Sequence, residues 1–315
     1  MKDRNLAIDI TISEVGPRDG LQSIKQIMPT EAKKSWIKAQ FEAGTPEIEV
    51  GSFVPPKLLP QMADSAEVTE YATGLDGLVV AALVPNLKGL ENAVAAGAQK
   101  VSIPFSMSES HSLKNVRKSH PQMLEEITRC VAYLESLPEL QRPMFEVGLS
   151  TAFGCTIEGP VPEERVISMA EKVIEIGVDE VGLSDTTGYG NPAQLRRLVH
   201  GIWDACGEDK LKGVHLHNTR GQGLANALMA VELGITTLDS SLGGIGGCPW
   251  APGASGNIVT EDLVFLLEAM GLNTGIDLEK LMAVRELVQA ALPGEPMYGF
   301  IPDAGLPKGF HTSFT

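Results

Sequence analysis

One local pattern recurs eight times along the 315 residues, and this repetition restricts the fold more than any other feature of the sequence. Each repeat is a short β-branched run, a polar or glycine-rich turn, and an amphipathic helical segment. Near-continuous apolar runs are typical of parallel strands that are buried on both faces. The predicted strands cover approximately residues 9–15, 47–53, 77–84, 100–105, 145–151, 180–185, 213–217 and 236–241.

The predicted helices lie between these strands and after the last one. They cover about residues 30–43, 58–73, 87–96, 120–136, 161–176, 192–206, 222–233 and 260–270, with a final helix near 277–291. Glycines that stand just before a following strand are expected to end four of them: Gly44, Gly97, Gly177 and Gly234.

The count of strands and the length of the chain favour a closed (β/α)8 TIM barrel over an open doubly wound sheet. No GxGxxG sequence follows the first strand, so a dinucleotide-binding fold has no support. We expect one catalytic barrel domain over residues 1–290. Residues 291–315 are rich in proline and glycine and are expected to form an irregular tail that packs on or near the barrel.

Charge and hydropathy limit the possible partners. The formal net charge of −15 discourages general binding to nucleic acid or to anionic membranes, and it requires a local basic patch for any anionic substrate. No apolar run approaches the roughly 18–20 residues that span a bilayer. The segment MKDRNLAIDI lacks the apolar core of a signal peptide, so a cytoplasmic location is expected.

The four cysteines are widely spaced, and no CxxC pair occurs. A disulfide framework and a cysteine-rich zinc site are therefore not expected. Packing roles are expected for the cysteines within helical patterns, Cys130 and Cys206, and for Cys155 after the fifth strand.

Unusual polar residues fall at the carboxyl ends of the predicted strands, where TIM barrels carry their chemistry. Arg18 and Asp19 follow the first strand within GPRDGLQ, Glu49 lies in the second strand, and Asp185 ends the sixth. The structural alternatives are a surface ion pair for the first two, a structural acid for Glu49 and a helix cap for Asp185.

The pair His215 and His217 is more informative than either histidine alone. Residues two apart on a strand point to the same face, so both imidazoles are expected inside the barrel mouth while Leu216 points towards the helices. Two neutral imidazoles and the Asp19 carboxylate would form a facial metal triad. The alternative is a pair of hydrogen-bonded core histidines.

These residues together resemble those of the 3-hydroxy-3-methylglutaryl-CoA lyases, within a wider group of metal-dependent barrel lyases and synthases. The resemblance covers about residues 8–290 and is carried by EVGPRDGLQ, IEVGSFVPPKLLPQMAD, VPNLKGLENAVAAGA, LSDTTGYGNP, HLHNTRGQGLANALMA and GGIGGCPWAPGASGN. The GGCP motif and the short chain favour the lyases, because isopropylmalate-type synthases carry a further C-terminal domain.

The resemblance implies a carbon–carbon lyase that converts 3-hydroxy-3-methylglutaryl-CoA to acetyl-CoA and acetoacetate with Mg²⁺ or Mn²⁺, and a homodimer or higher homo-oligomer. By position, the implied metal ligands are Asp19, His215, His217 and Asn257. The implied catalytic or supporting residues are Arg18, Glu49, Asp185 and Cys248. Cys248 is interpreted as a proton donor on a mobile lid from Gly243 to Gly256.

Three positions depart from the family pattern. Asn218 stands where many members have Asp, Arg220 where members often have Tyr, and Trp250 where Tyr is usual. We hypothesise that Arg220 helps to select the acyl group. Citramalyl-CoA, cleaved to acetyl-CoA and pyruvate, is therefore an alternative substrate.

The coenzyme A phosphates need cations that the acidic surface supplies only locally. Lys25 is the first candidate, and Lys114, Arg117 and Lys118 form a second cluster whose alternative is a solvated helix start. Two rival functions remain: a condensing synthase, which would free CoA-SH, and a non-catalytic barrel that binds a CoA ester or a metal.

Overall fold

Eight parallel strands close into one barrel, in which each strand pairs with the next and the last pairs with the first. The structure is a computed structural model and describes residues 7–246 and 256–312. The strands are β1 (Thr11–Glu14), β2 (Glu47–Ser52), β3 (Val79–Leu83), β4 (Lys100–Ser106), β5 (Met144–Ser150), β6 (Glu180–Ser184), β7 (Leu211–His215) and β8 (Thr237–Ser240). The predicted (β/α)8 barrel is confirmed.

Helices follow each strand and cover the outside of the barrel. They are α1 (Thr30–Glu42), α2 (Ser65–Thr73), α3 (Leu87–Ala95), α4 (Glu109–Asn115), α5 (His120–Glu135), α6 (Glu163–Ile176), α7 (Pro192–Cys206), α8 (Gly223–Leu233), α9 (Thr260–Ala269), α10 (Leu278–Ala291) and α11 (Ile301–Ala304). Most predicted bounds differ from these by only a few residues.

Two helical predictions need correction. The helix predicted over 58–73 is wrong in its first part, where a short 3₁₀ turn, Pro60–Met62, precedes α2. Proline fits only the first turn of a helix, so a new helix begins after it. A short helix, α4, was not predicted; Ser108 caps its first turn by accepting a hydrogen bond from the backbone N–H of His111.

The four glycines predicted to end helices all have positive φ, as the left-handed conformation requires: Gly44, Gly97, Gly177 and Gly234. Gly44 also lies against another loop, since a Cβ there would be 2.0 Å from the carbonyl oxygen of Gly275. Its prediction as a helix end is confirmed, and the close approach adds a second reason for glycine.

The barrel wall is apolar outside and polar inside. Ile12, Ile48 and Val101 are fully buried in the layer between strands and helices. The cavity inside the barrel is lined at alternate strand positions by polar and small residues: Ser13, Glu47, Glu49, Ala81, Lys100, Ser102, Glu146, Gly148, Gly182, Gly213, His215, Thr237 and Asp239. Most TIM barrels fill this space with bulky branched residues. This interior therefore contains an open cavity and is not a packed core.

The tail follows α10 and contacts the loop after β8 and the helix α9. The backbone N–H of Tyr298 donates to the Gly243 carbonyl at 2.7 Å, and the N–H of Phe300 donates to the Asp262 carboxylate at 2.9 Å. Within the two described ranges, no helix combines the length and the apolarity that crossing a membrane requires.

A buried carboxyl group ties the first strand to the last loop. Glu14 at the end of β1 accepts hydrogen bonds from the backbone N–H groups of Gly16 and Leu242, both at 2.9 Å, and from the Thr260 hydroxyl at 2.7 Å. Burial outweighs these bonds and raises the pKa of Glu14 to about 8. Glu14 therefore fixes the start of the turn that carries the first candidate site residues, and it does so as a neutral acid at pH 7.

We predict that Glu14→Gln removes a pH dependence of stability. The pKa of Glu14 is raised from 4.5 to about 8 on folding, so its contribution is complete below pH 4.5 and declines as the pH rises through about 8. Gln keeps a neutral acceptor at every pH. The melting temperature of Glu14→Gln minus that of the wild type should therefore increase between pH 5 and pH 8, measured by calorimetry.

Glu14→Ala is the matched control. It leaves buried N–H groups without an acceptor and should lower stability by about 3 kcal/mol near pH 5. Because alanine does not titrate, this deficit relative to the wild type should shrink as the pH rises through about 8. An equal pH dependence in wild type and Glu14→Gln would contradict the assignment to Glu14.

Candidate active site

Arg18 is buried between two carboxylates at the end of the first strand. A π-helical turn, Gly16–Gly20, carries Arg18 and Asp19 over the barrel mouth. The Arg18 Nε donates to Glu49 Oε2 at 2.5 Å, and one terminal nitrogen donates to Asp19 Oδ1 at 2.6 Å. Glu49 also accepts a hydrogen bond from the Ser102 hydroxyl at 3.0 Å. The surface ion-pair alternative is therefore wrong, and the guanidinium is held in one position.

The two histidines converge inside the barrel as the sequence predicted. Their Nε2 atoms are 3.1 Å apart, and His215 Nδ1 lies 3.0 Å from Asp239 Oδ2. The strand predicted over 213–217 ends at His215, while His217 forms an isolated bridge with Asn257 beyond it. The Asp239 carboxylate holds the His215 ring by Nδ1, which leaves Nε2 directed into the cavity.

Asp19 joins the two histidines in a group that could hold a divalent metal. One ligand atom from each of Asp19, His215 and His217 lies within 4.8 Å of the others. Asn257 Nδ2 donates to Asp19 Oδ2 at 2.7 Å, and among the described residues Asn257 Oδ1 has no hydrogen-bond partner. A carboxylate, two imidazoles and an amide oxygen form a donor set that suits a divalent cation.

The electrostatics of this group also favour a cation. Burial opposes ionisation of Asp19, but Arg18 and His215 hold its pKa below the ordinary range. Burial and the neighbouring His215 lower the pKa of His217 to about 4, so its ring is neutral at pH 7. Burial opposes a charge on His215, but Asp239 and Asp19 raise its pKa. An ionised Asp19 and a neutral His217 are in the states that bind metals, whereas a protonated His215 would have to release its proton to bind one.

Asp185 and Arg220 brace the loop after β6. The buried Asp185 carboxylate accepts hydrogen bonds from the backbone N–H groups of Tyr189 at 2.9 Å and Gly190 at 3.0 Å; burial outweighs these bonds and raises its pKa to about 6. The Arg220 guanidinium donates to the carbonyls of residues 187 and 188 and lies 4.5 Å from the Tyr189 ring centroid. Neither side chain is among those that line the cavity.

One cavity of about 620 Å³ contains the candidate site and extends into the barrel. The second predicted basic cluster lines it: Lys114, Arg117 and Lys118. Lys118 also pairs with Glu126 at 2.5 Å. Lys25 is exposed and is not among the lining residues. The structure therefore brings the second cluster, and not Lys25, to the cavity.

Cys248 and Trp250 lie outside the described residues, as does most of the glycine-rich segment predicted to be a lid. Among the other cysteines, Cys130 and Cys155 are buried and Cys206 is half-buried. These positions agree with the packing roles that the sequence predicted.

Sequence reasoning missed three residues that complete the site. Asp239 holds His215, Ser102 holds Glu49, and Lys100 forms ion pairs within the cavity wall. Alternation along strand eight would have placed Asp239 on the inner face. Only the strand register, which pairs His215 with Asp239, shows that the two meet.

Comparisons with known proteins identify the family of this chain. The model of the HMGL-like family matches residues 9–288. Hydroxymethylglutaryl-CoA lyase YngG of Bacillus subtilis (strain 168) is 40% identical over 288 residues, which are 91% of this chain and 94% of that protein. The mitochondrial hydroxymethylglutaryl-CoA lyase of Mus musculus is 41% identical over 283 residues, covering 90% of this chain and 86% of the relative.

Solved structures show the same similarity. An HMG-CoA lyase from Acinetobacter baumannii, in complex with coenzyme A and 3-methylmalate, superposes with a TM-score of 0.89 at 38% identity over 96% of this chain and 97% of that one. Hydroxymethylglutaryl-CoA lyase from Pseudomonas aeruginosa gives a TM-score of 0.87 at 37% identity, over 95% and 98%. With the family match and the relatives in agreement, this chain belongs to the HMGL-like family.

Proposed function

We propose that this chain is a carbon–carbon lyase that cleaves 3-hydroxy-3-methylglutaryl-CoA to acetyl-CoA and acetoacetate. Relatives with that name match at about 40% identity over about 90% of the chain. The observation that carries the proposal is the buried Arg18 next to the group formed by Asp19, His215 and His217, all lining one cavity.

The proposed metal ligands are Asp19, His215, His217 and Asn257, and the proposed metal is Mg²⁺ or Mn²⁺. Such an ion, when bound, supplies Lewis-acid chemistry that lowers the pKa of a substrate hydroxyl group. These four residues would hold the ion and would leave room on it for oxygen atoms of the substrate. The support is the mixed oxygen and nitrogen donor set, with the His215 ring oriented by Asp239.

The chemistry needs one bond to break and two protons to move. The C3 hydroxyl loses its proton to a base, the C2–C3 bond breaks, and its electron pair remains on C2 as the enolate of acetyl-CoA. Protonation of C2 then completes acetyl-CoA. Arg18 is proposed to stabilise the enolate oxygen, because a cation held in place by Glu49 and Asp19 needs no reorganisation when the charge develops.

The supporting residues receive separate roles. Glu49 is proposed to position Arg18, and Asp185 and Arg220 to hold the loop after β6 at the rim of the site. Cys248 is proposed, from the sequence alone, as the acid that protonates C2. That Arg220 selects the acyl group stays a prediction. Its guanidinium donates hydrogen bonds to loop carbonyls, and these bonds give no reason to prefer citramalyl-CoA as the substrate.

Coenzyme A is proposed to lie across the basic side of the barrel mouth. The cavity is lined by three basic residues, Lys114, Arg117 and Lys118. Their positive charges suit the phosphates of coenzyme A, although the protein as a whole is acidic. Lys25 stays a candidate from the sequence. A homodimer or higher homo-oligomer, expected from the family resemblance, also stays a prediction.

The direct test is an assay of the purified protein with Mg²⁺ and 3-hydroxy-3-methylglutaryl-CoA, with products identified by mass. We expect acetoacetate and acetyl-CoA in equal amounts. Citramalyl-CoA in a parallel assay would release pyruvate if it were the substrate. A thiol reagent separates a lyase from a condensing synthase, because only the synthase frees CoA-SH. Recovery of intact ester under all conditions would overturn the proposal.

We predict that His217→Ala and Asp19→Ala abolish turnover and weaken Mn²⁺ binding. Each removes one ligand from a closely spaced set. Activity should be measured before and after chelation and restored by added metal, and Mn²⁺ binding should be followed by electron paramagnetic resonance. His200→Ala, on the outer helix α7, is the matched control and should retain both. Full activity in metal-stripped protein would refute a metal-dependent reaction.

We predict that Arg18→Lys lowers kcat by about 10²–10⁴-fold and changes KM little. The reason is that the guanidinium acts on charge that develops only in the transition state. Steady-state kinetics measure the split between the two constants, and Arg196→Lys on the exposed side of α7 is the control. A change confined to KM would make Arg18 a substrate-binding residue.

We predict that Cys248→Ser folds normally, binds substrate with little change and loses most of its turnover. A free thiol is mostly protonated at neutral pH and can donate a proton, whereas a serine hydroxyl is a far weaker acid. Thiol alkylation should inactivate the wild type, and a bound substrate analogue should protect it. Near-normal kcat in Cys248→Ser would remove this residue from the mechanism.

A further inference from the structure

Three glycines form a bare patch on the inner wall of the barrel. Gly148, Gly182 and Gly213 lie on β5, β6 and β7, and the strand register pairs Gly148 with Gly182 and Gly182 with Gly213. None of the three has a positive φ, so their backbone conformation does not require glycine. Glycine within a strand often marks the close approach of a ligand.

The space in front of two of these glycines is open. A Cβ at Gly148 would have no neighbour nearer than the Ile103 carbonyl oxygen at 4.0 Å, and one at Gly213 would meet first the Thr237 Cβ at 3.8 Å. At Gly182, a Cβ would lie 2.7 Å from Glu146 Oε1. The patch therefore opens on the Gly148 and Gly213 sides and has the Glu146 carboxylate as its polar wall.

This patch lies directly below the candidate metal group. Gly213 precedes His215 by two residues on β7, and side chains two apart on a strand share a face. Two residues of a strand span about 6.6 Å along its direction. A substituent of two or three heavy atoms, directed inwards from a carbon bound beside His215, would therefore reach the patch.

The floor of the cavity is polar and carries more acid than base. The buried Lys100 ammonium is 3.0 Å from Glu146, 3.4 Å from Glu47 and 3.6 Å from Glu180. Burial raises the pKa of Glu180 to about 7 and also raises that of Glu47, while the same carboxylates raise the pKa of Lys100. The Lys100 ammonium is already paired with three carboxyl groups, so it is a poor partner for a substrate carboxylate, whereas Glu146 can accept a hydrogen bond from a donor.

We propose that the acyl pocket takes 3-hydroxyacyl-CoA esters whose C3 carries, in place of methyl, a short hydroxyalkyl group that donates a hydrogen bond to Glu146. The inference rests on the proposed lyase function. The carboxylate arm of the substrate stays at the mouth, away from the acidic floor. The third substituent on C3 then points along the barrel axis into the space that Gly148 and Gly213 leave open.

The test compares three 3-hydroxyglutaryl-CoA esters that differ only at C3: methyl, propyl and 2-hydroxyethyl. The last two have nearly the same size. We expect kcat/KM for the 2-hydroxyethyl ester to equal or exceed that of the methyl ester and to exceed that of the propyl ester at least tenfold, because only the hydroxyl can donate a hydrogen bond to Glu146. A 2-hydroxyethyl ester cleaved tenfold or more slowly than the methyl ester would overturn the proposal.

Variants that fill the patch test its position. The measured quantity is the ratio of kcat/KM for the 2-hydroxyethyl ester to kcat/KM for the methyl ester. Gly213→Val should lower this ratio at least tenfold, and the milder change Gly148→Ala should lower it several-fold. Ser168→Ala on the outer helix α6 is the control and should keep the wild-type ratio. An unchanged ratio in both glycine variants would overturn the proposal even if one of them folded poorly.

Binding separates this proposal from the lyase function. Calorimetry with the corresponding esters that lack the C3 hydroxyl measures affinity without turnover. Tighter binding of the 2-hydroxyethyl analogue than of the propyl analogue, lost in Gly213→Val, supports the pocket even if no ester is cleaved. Cleavage of the methyl ester together with equal affinity for both analogues would retain the lyase function and refute the pocket.

Discussion

Closing eight parallel strands into one barrel places every second side chain in a single shared interior, and the rest of this structure depends on how that interior is filled. Its outer layer is apolar, with Ile12, Ile48 and Val101 fully buried under the helices. This layer supplies the hydrophobic stabilisation that most TIM barrels also draw from their interior. Because the outer layer is complete, the inner face can carry charges, small residues and a cavity.

Buried charges inside the barrel stay stable only because they occur in paired groups. Arg18 lies between Glu49 and Asp19, and Lys100 lies among three glutamates. Removing one partner from such a group leaves an uncompensated charge, which costs several kcal/mol. The same pairing holds the guanidinium still, and a fixed cation stabilises a developing anion more effectively than a mobile one. The proposed catalytic role of Arg18 therefore relies on the same contacts that stabilise the buried charges.

The sequence was sufficient for the fold and for part of the site. Strand–helix alternation predicted the barrel, and the spacing of His215 and His217 predicted that their rings converge. The contacts that depend on register between distant strands could not be predicted, such as Asp239 against His215 and Glu49 against Ser102. A single sequence indicates which side chains of a strand point into the barrel, but it does not indicate which residues of the neighbouring strands lie beside them.

Arg220 also shows that a single sequence does not predict which groups a side chain contacts. It stands close to the second histidine, at a position where family members often have Tyr, and this added cation suggested a partner for the substrate. In the structure, nearby carbonyls of residues 187 and 188 take its donors, and the Tyr189 ring covers one face of the guanidinium. An arginine with carbonyls and a ring within reach is satisfied locally. Any effect of Arg220 on the proposed substrate would pass through the loop that Asp185 also holds, so its proposed role is to position the rim of the site.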